Sequence, residues 1–108
     1  MTLIQLKYIL TIAETKSLNK AAEQLYVSQP SLTNALKELE KEIGITIFFR
    51  SGRGVTLTND GVEFLTYARE LYHEYEQLLH RYTEGGSYKK KFAVSTQHYS
   101  FAVKAFVD

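Results

Sequence analysis

The sequence predicts a mainly α-helical chain: three short helices, a two-stranded hairpin, a long helix, then the first strand and helix of an α/β segment. Three observations carry that expectation. Apolar residues recur at helical spacing in three successive blocks before Gly44, each closed by a turn signal. Two runs rich in β-branched and aromatic residues, 45–49 and 55–57, flank a glycine-bearing turn. A helical pattern of roughly 25 residues then runs from Asn59 to Glu84, with no Gly or Pro beyond its first turn.

The first helix, 2–14, places Leu3, Leu6, Leu10 and Ala13 on one stripe, and Ile9 and Ile12 widen it enough for cover on two sides. Ser17 is the expected N-cap of a short helix ending at Leu25, whose Leu18, Ala21, Ala22 and Leu25 share a face. The adjacent alanines allow another helix to approach closely. After a brief turn at Tyr26-Val27, Ser28 caps a third helix with Pro30 in its first turn, where a missing N–H costs nothing. That helix buries Leu32, Leu36, Leu39 and Ile43 and stops at Gly44. Residues 45–49 and 55–57 read as strands joined by Arg50-Ser51-Gly52-Arg53-Gly54. Thr58 caps the long helix, and Asp60 favours the positive end of its dipole. Three helices and a hairpin in this order describe a winged helix-turn-helix.

The long helix carries two adjoining apolar stripes. Leu65, Ala68, Tyr72, Tyr75, Leu79 and Tyr82 form a coiled-coil seam expected to carry dimerisation, and Phe64, Ala68, Leu71, Tyr75, Leu78 and Tyr82 form an overlapping register. Three short helices and a hairpin cannot cover both, so one stripe is expected on the chain's own domain and the other on a partner. Beyond Gly85-Gly86 and Lys89-Lys90-Lys91, Phe92 to Ser95 reads as a strand and His98 to Val107 as a helix. A strand and a helix do not close a domain, so the chain is expected to be the front of a longer protein. The expected boundaries are 1–58 for the winged domain, 59–84 for the linker helix, 85–88 for a hinge and 89–108 for the next domain's start.

Composition narrows the function classes. With 44% hydrophobic and 23% charged residues over 108 positions, the chain can bury a core. It has no Cys, which excludes disulfides, thiolate metal sites and a cysteine nucleophile. No membrane-length apolar run or signal-peptide pattern is found, so a cytoplasmic location without membrane contact is expected. The net charge of +1 conceals three unlike segments: +2 over residues 1–57, −4 over 58–88 and +3 over 89–108. No nucleophile–base order or phosphate-cradling glycine loop is present, so neither an enzyme nor a cofactor is expected.

The third helix's free face carries the chemistry. Gln29, Pro30, Ser31, Thr33 and Asn34 lie at its N-terminal end, with Lys37 and Lys41 following. A DNA major groove suits this order: short polar groups at the tip for base edges, then cations near phosphate. Asn and Gln pair with adenine in bidentate fashion, while Pro30 or a Thr methyl can touch the thymine methyl. Arg50 and Arg53 flank a hairpin tip suited to phosphate or the minor groove. A polar helix face is often merely solvated, and winged folds also serve as protein–protein modules. The alternative is therefore an interaction and dimerisation module without sequence-specific DNA binding.

Residues 3–65 resemble the N-terminal domain of LysR-type transcriptional regulators. The stretch Ser17-Leu18-Asn19-Lys20-Ala21-Ala22-Glu23-Gln24-Leu25-Tyr26-Val27-Ser28-Gln29-Pro30-Ser31-Leu32-Thr33 is similar to that family's helix-turn-helix signature. Leu36, Leu39, Glu40, Gly44, Phe49, Arg50, Arg53, Gly54, Leu57, Thr58 and Gly61 follow its pattern. The resemblance continues through the linker helix, and Lys91 to Val107 look like the start of the effector-binding domain. It implies a transcription factor that binds double-stranded DNA as a homodimer, usually a dimer of dimers, at a partly palindromic AT-leaning site. Gln29, Pro30, Ser31 and Thr33 then match positions that meet bases or adjoining backbone, and Arg50 and Arg53 match wing positions. Asn34 and Lys37 depart from the family, where Arg is common. Asn lacks the guanidinium fork, which shifts the expectation there from guanine toward adenine.

The remaining candidates are weaker. Tyr67, Tyr72, Tyr75, Tyr82 and Tyr88 cluster on a segment of charge −4, which favours coiled-coil packing over stacking on single-stranded nucleic acid. His73 and His80 lack a third metal ligand nearby, and Lys89-Lys90-Lys91 reads as a solvated turn. Ser95 and Thr96 stand at a strand end entering a helix. The resemblance makes them effector-facing, and a plain N-cap is the equal alternative.

Overall fold

The computed structural model describes residues 1–83, in the order α1 (Leu3–Thr15), α2 (Leu18–Leu25), α3 (Gln29–Ile43), β1 (Phe48–Ser51), β2 (Gly54–Leu57) and α4 (Asn59–Thr83). The strand at 92–95, the helix at 98–107, the hinge at 85–88, Lys89-Lys90-Lys91 and Ser95-Thr96 lie outside the described residues. The chain divides into two compact units, Met1–His73 and Glu74–Asp108, a division that falls inside α4.

Local chemistry sets the helix ends. Thr2 caps α1 in a reciprocal box: the Gln5 N–H donates to Thr2 Oγ1 (3.1 Å) and the Thr2 N–H to Gln5 Oε1 (2.9 Å). Ser17 accepts from the Lys20 N–H at 3.1 Å and Ser28 from the Ser31 N–H at 3.2 Å, each satisfying a donor that the first turn leaves free. Gly44 closes α3 with φ of 79°. Lys16 and Tyr26 close α1 and α2 in the same left-handed region, at φ of 57° and 59°. Such a backbone is costly for residues with a side chain.

The three short helices pack on one another in pairs around a core built from Ile9, Ile12, Leu18, Ala21, Leu32, Leu39, Ile47 and Leu65. Ala21 is fully buried and Ala22 nearly so, which gives α2 the close approach expected of it. In α1 the buried residues are Leu6, Ile9 and Ile12, whereas Leu3 is 38% exposed and Leu10 and Ala13 are half-buried. The widening residues of the expected stripe are thus its centre, because α2, α3 and β2 all meet α1 and draw its covered arc toward Ile9 and Ile12.

The hairpin is antiparallel, with Phe48 opposite Leu57 and Ser51 opposite Gly54, so Gly52-Arg53 form a two-residue connection. The expected first strand, 45–49, is displaced toward the tip. At its new start Glu40 on α3 holds the chain: its Oε2 accepts from the Ile47 N–H (2.7 Å) and the Phe48 N–H (3.3 Å). Residues 45–47 also have no strand to pair with, since β2 ends at Leu57. The hairpin's other root is the C-cap of α1, where the Lys16 carbonyl accepts from the Val55 N–H at 3.3 Å. Gly54 permits this twice over: its φ is 138°, and a Cβ there would overlap the Lys16 carbonyl oxygen.

Thr58 caps α4, accepting from the Gly61 N–H at 2.8 Å, and its own N–H donates to the Ile47 carbonyl at 2.9 Å. Gly61 rests on that same carbonyl, with no room for a Cβ. Gly61, Leu65 and Ala68 are the buried residues of α4.

Candidate nucleic-acid interface

Two turns of polypeptide present the N-terminal end of α3. The α2–α3 turn ends at Ser28, and Pro30, the second residue of α3, is exposed. Leu32, Leu36 and Leu39 hold the inner face at 0%, 8% and 0% exposure, so rotation of α3 is fixed by its apolar spacing. The opposite stripe is then Pro30, Asn34, Lys37 and Lys41, all exposed and one turn apart along the axis. Thr33 is half-buried beside it. The Ser28 hydroxyl donates to Ser31 Oγ at 2.9 Å, which leaves the Ser31 hydroxyl hydrogen to donate outward.

A shallow cleft of about 160 Å³ lies between this end of α3, the start of α2 and the hairpin. It is lined by Ser17, Leu18, Asn19, Gln29, Arg50, Ser51, Gly54 and Val55. The fold thereby brings together Gln29 and Arg50, which are well apart in sequence, and adds Ser17 and Asn19, which in the sequence mark only a helix start. The signal for these two was present: the first helix of a helix-turn-helix crosses the nucleic-acid backbone, and a helix N-terminus offers N–H groups to an anion. Arg53 sits at the exposed hairpin tip outside the cleft. Among the described residues, the side chains of Asn19, Gln29, Asn34, Lys37, Arg50 and Arg53 form no internal hydrogen bond or ion pair. Their donors and charges are available to a ligand.

The expected partner-facing seam separates along α4. Leu65 and Ala68, at 2% and 4% exposure, are already closed against the chain's own core and have little surface left for a partner. In Met1–His73, Val62, Tyr67 and Leu71 are exposed, at 54%, 65% and 48%, and Tyr72 is half-buried. In the second unit Tyr75 and Tyr82 are half-buried, while Leu78 and Leu79 are exposed at 62% and 47%. Among the described residues no group of three metal-ligating side chains occurs, and no helix is long and apolar enough to cross a membrane.

A three-helix core with a short wing and an unpartnered polar helix face defines a winged helix-turn-helix protein. Residues 3–62 match the family described as "Bacterial regulatory helix-turn-helix protein, lysR family", and the chain belongs to that family. It is 34% identical over 99% of its length to the uncharacterized HTH-type transcriptional regulator YxjO of Bacillus subtilis (strain 168). Over 79% of its length it is 42% identical to the HTH-type transcriptional regulator CitR of the same organism. The chain spans 38% and 30% of the lengths of these two relatives. Among solved structures it resembles the CbnR_DBD–DNA complex, with 37% identity, a TM-score of 0.70, and coverage of 75% of this chain and 93% of that one. It also resembles the BenM_DBD/catB site 1 DNA complex, with 33% identity, a TM-score of 0.73, and coverage of 90% and 100%.

Proposed function

We propose that this chain is the DNA-reading and pairing portion of a LysR-family transcriptional regulator, acting as a homodimer on a partly palindromic, AT-leaning duplex. The observation that carries this reading is the convergence of Gln29 and Arg50 on one cleft beside the exposed Pro30–Asn34–Lys37 stripe. In this reading α3 enters the major groove. Gln29 and Asn34 take base edges, Pro30 and Thr33 offer apolar contact, and Ser31 donates to backbone or base. Lys37 faces phosphate, Arg50 with Ser17 and Asn19 holds the strand crossing the cleft, and Arg53 reaches along the wing toward the minor groove. The likeness to the CbnR_DBD and BenM_DBD complexes with DNA supports this assignment.

Pairing falls to α4. Leu71 in the first unit, and Leu78 and Leu79 in the second, each supply exposed apolar surface that a second copy of the helix would cover. A modestly basic reader gains affinity when two copies are joined, because the second contact becomes intramolecular. Residues 1–58 serve as the reader, 59–84 as the linker helix, and 89–108 as the start of a domain that senses a small molecule, for which Ser95 and Thr96 are the candidate contacts. A dimer of dimers follows the family's usual assembly.

Selection of bound duplexes from a random pool tests the whole reading. Two half-sites at one helical-turn spacing or a multiple are expected. Recovery of no preferred sequence would sink the sequence-specific reading and leave the interaction module in its place.

A further inference from the structure

The wing is not held only by its own ladder. Between the end of α3 and β1 the chain crosses Gly44–Ile47 without regular structure, a segment on which the hairpin could swing. Both polar ends of Ile47 are taken by flanking helices. Its N–H, with that of Phe48, is bound by Glu40 from the last turns of α3. Its carbonyl is bound by the Thr58 N–H at 2.9 Å and the Thr58 hydroxyl at 3.3 Å, and Gly61 lies against it. The Ile47 side chain is fully buried. The Thr58 hydroxyl also reaches the Thr46 carbonyl.

We infer that Glu40 is a positioning residue for DNA recognition: by gripping the Ile47 and Phe48 N–H groups it sets the angle at which the wing, with Arg50 and Arg53, stands to the reading face of α3. This rests on the reading of the wing as a DNA contact. One carboxylate oxygen takes two N–H groups, and charge-assisted bonds of this kind are roughly twice as strong as neutral ones. Glu40 leaves α3 two turns beyond Asn34 and one beyond Lys37, so the helix that presents the base-reading groups also dictates where the hairpin begins. Glu40→Gln keeps an acceptor oxygen and the side-chain volume but removes the charge. The fold persists, and the hairpin loses its fixed angle.

A double-mutant cycle decides this, using the whole chain, the duplex that the wild type recovers from a random pool, and a temperature at which circular dichroism shows every variant folded. Arg53→Ala is expected to weaken binding about tenfold in the wild-type background and less than about twofold beside Glu40→Gln, since the two residues act through one contact. Gln29→Ala is expected to weaken binding by the same factor in both backgrounds. Amide exchange at Ile47, Phe48, Arg50 and Val55 should quicken in Glu40→Gln while that of α1 and α2 stays unchanged. An Arg53→Ala penalty equal in the two backgrounds overturns the inference. So does an equal shrinkage of the Arg53 and Gln29 penalties, which would mark general damage to the fold. If Arg53→Ala alone changes nothing, the reading of the wing fails, and the exchange data alone decide about Glu40: unchanged hairpin exchange overturns its role.

Discussion

α3 and α4 are both hydroxyl-capped amphipathic helices, yet they spend their apolar residues differently. In α3, 15 residues long, Leu32, Leu36 and Leu39 are all buried within the chain. Its remaining face is polar and exposed, and among the described residues Asn34 and Lys37 have no internal partner. In α4, 25 residues long, only Gly61, Leu65 and Ala68 are buried, and Leu71, Leu78 and Leu79 stay open to solvent. A helix whose apolar inventory is consumed by its own fold offers a ligand hydrogen bonds and charge. A helix whose inventory exceeds what its fold can cover offers a partner apolar area. The same amphipathic grammar therefore leaves an exposed polar face in one place and an exposed apolar one in the other.

Substitutions on the two helices sharpen the contrast. The largest effect belongs to the consumed face: Leu39→Ala should cost ~2–5 kcal/mol in urea unfolding, because a side chain with no exposure leaves a cavity. A loss below about 1 kcal/mol would mean that α3 is not seated as described. Gly61→Ala comes next, at ~1–3 kcal/mol destabilising, although Ala is the better helix former, because its Cβ meets the Ile47 carbonyl. A stabilised variant would show that α4 does not rest on β1's approach segment. Asn34→Ala should leave folding intact and remove about 1–3 kcal/mol of discrimination at one base position, read by repeating the duplex selection. Unchanged preference at every position would take Asn34 out of the reading face. Ser28→Ala should cost ~1 kcal/mol of stability through loss of the α3 cap. Smallest for folding is Leu78→Asp, within ~0.5 kcal/mol by amide exchange of the α1 core, with conversion of dimer to monomer in sedimentation. A dimer that survives this change would place the pairing surface elsewhere.

Much of the fold was legible because its signals are local. Ser17, Ser28 and Thr58 cap the helices that the sequence assigned to them, and Gly44 ends α3, since a cap needs only the next three residues. The exposed polar face of α3 followed from the spacing of Leu32, Leu36 and Leu39. The left-handed caps at Lys16 and Tyr26 were not legible, because neither residue type announces that conformation. The cleft was half visible: Gln29 and Arg50 stood out by chemistry, whereas Ser17 and Asn19 joined them only through the approach of α2 to the wing.

Residue spacing and side-chain chemistry alone dictated the starts of α2, α3 and α4, the Gly44 stop of α3, the presence of the hairpin, the polar face of α3 and the surplus of apolar residues on α4. Packing settled the rest. It moved β1 toward the tip, because β2 ends at Leu57 and the Ile47 N–H goes to Glu40 from across a turn. It turned α1 on Ile9 and Ile12, because three elements press on that helix at once. It withdrew Leu65 and Ala68 from the expected partner seam into the chain's own core. Each of these outcomes depends on which groups from distant parts of the chain arrive at the same place, and a linear pattern carries periodicity but not that meeting.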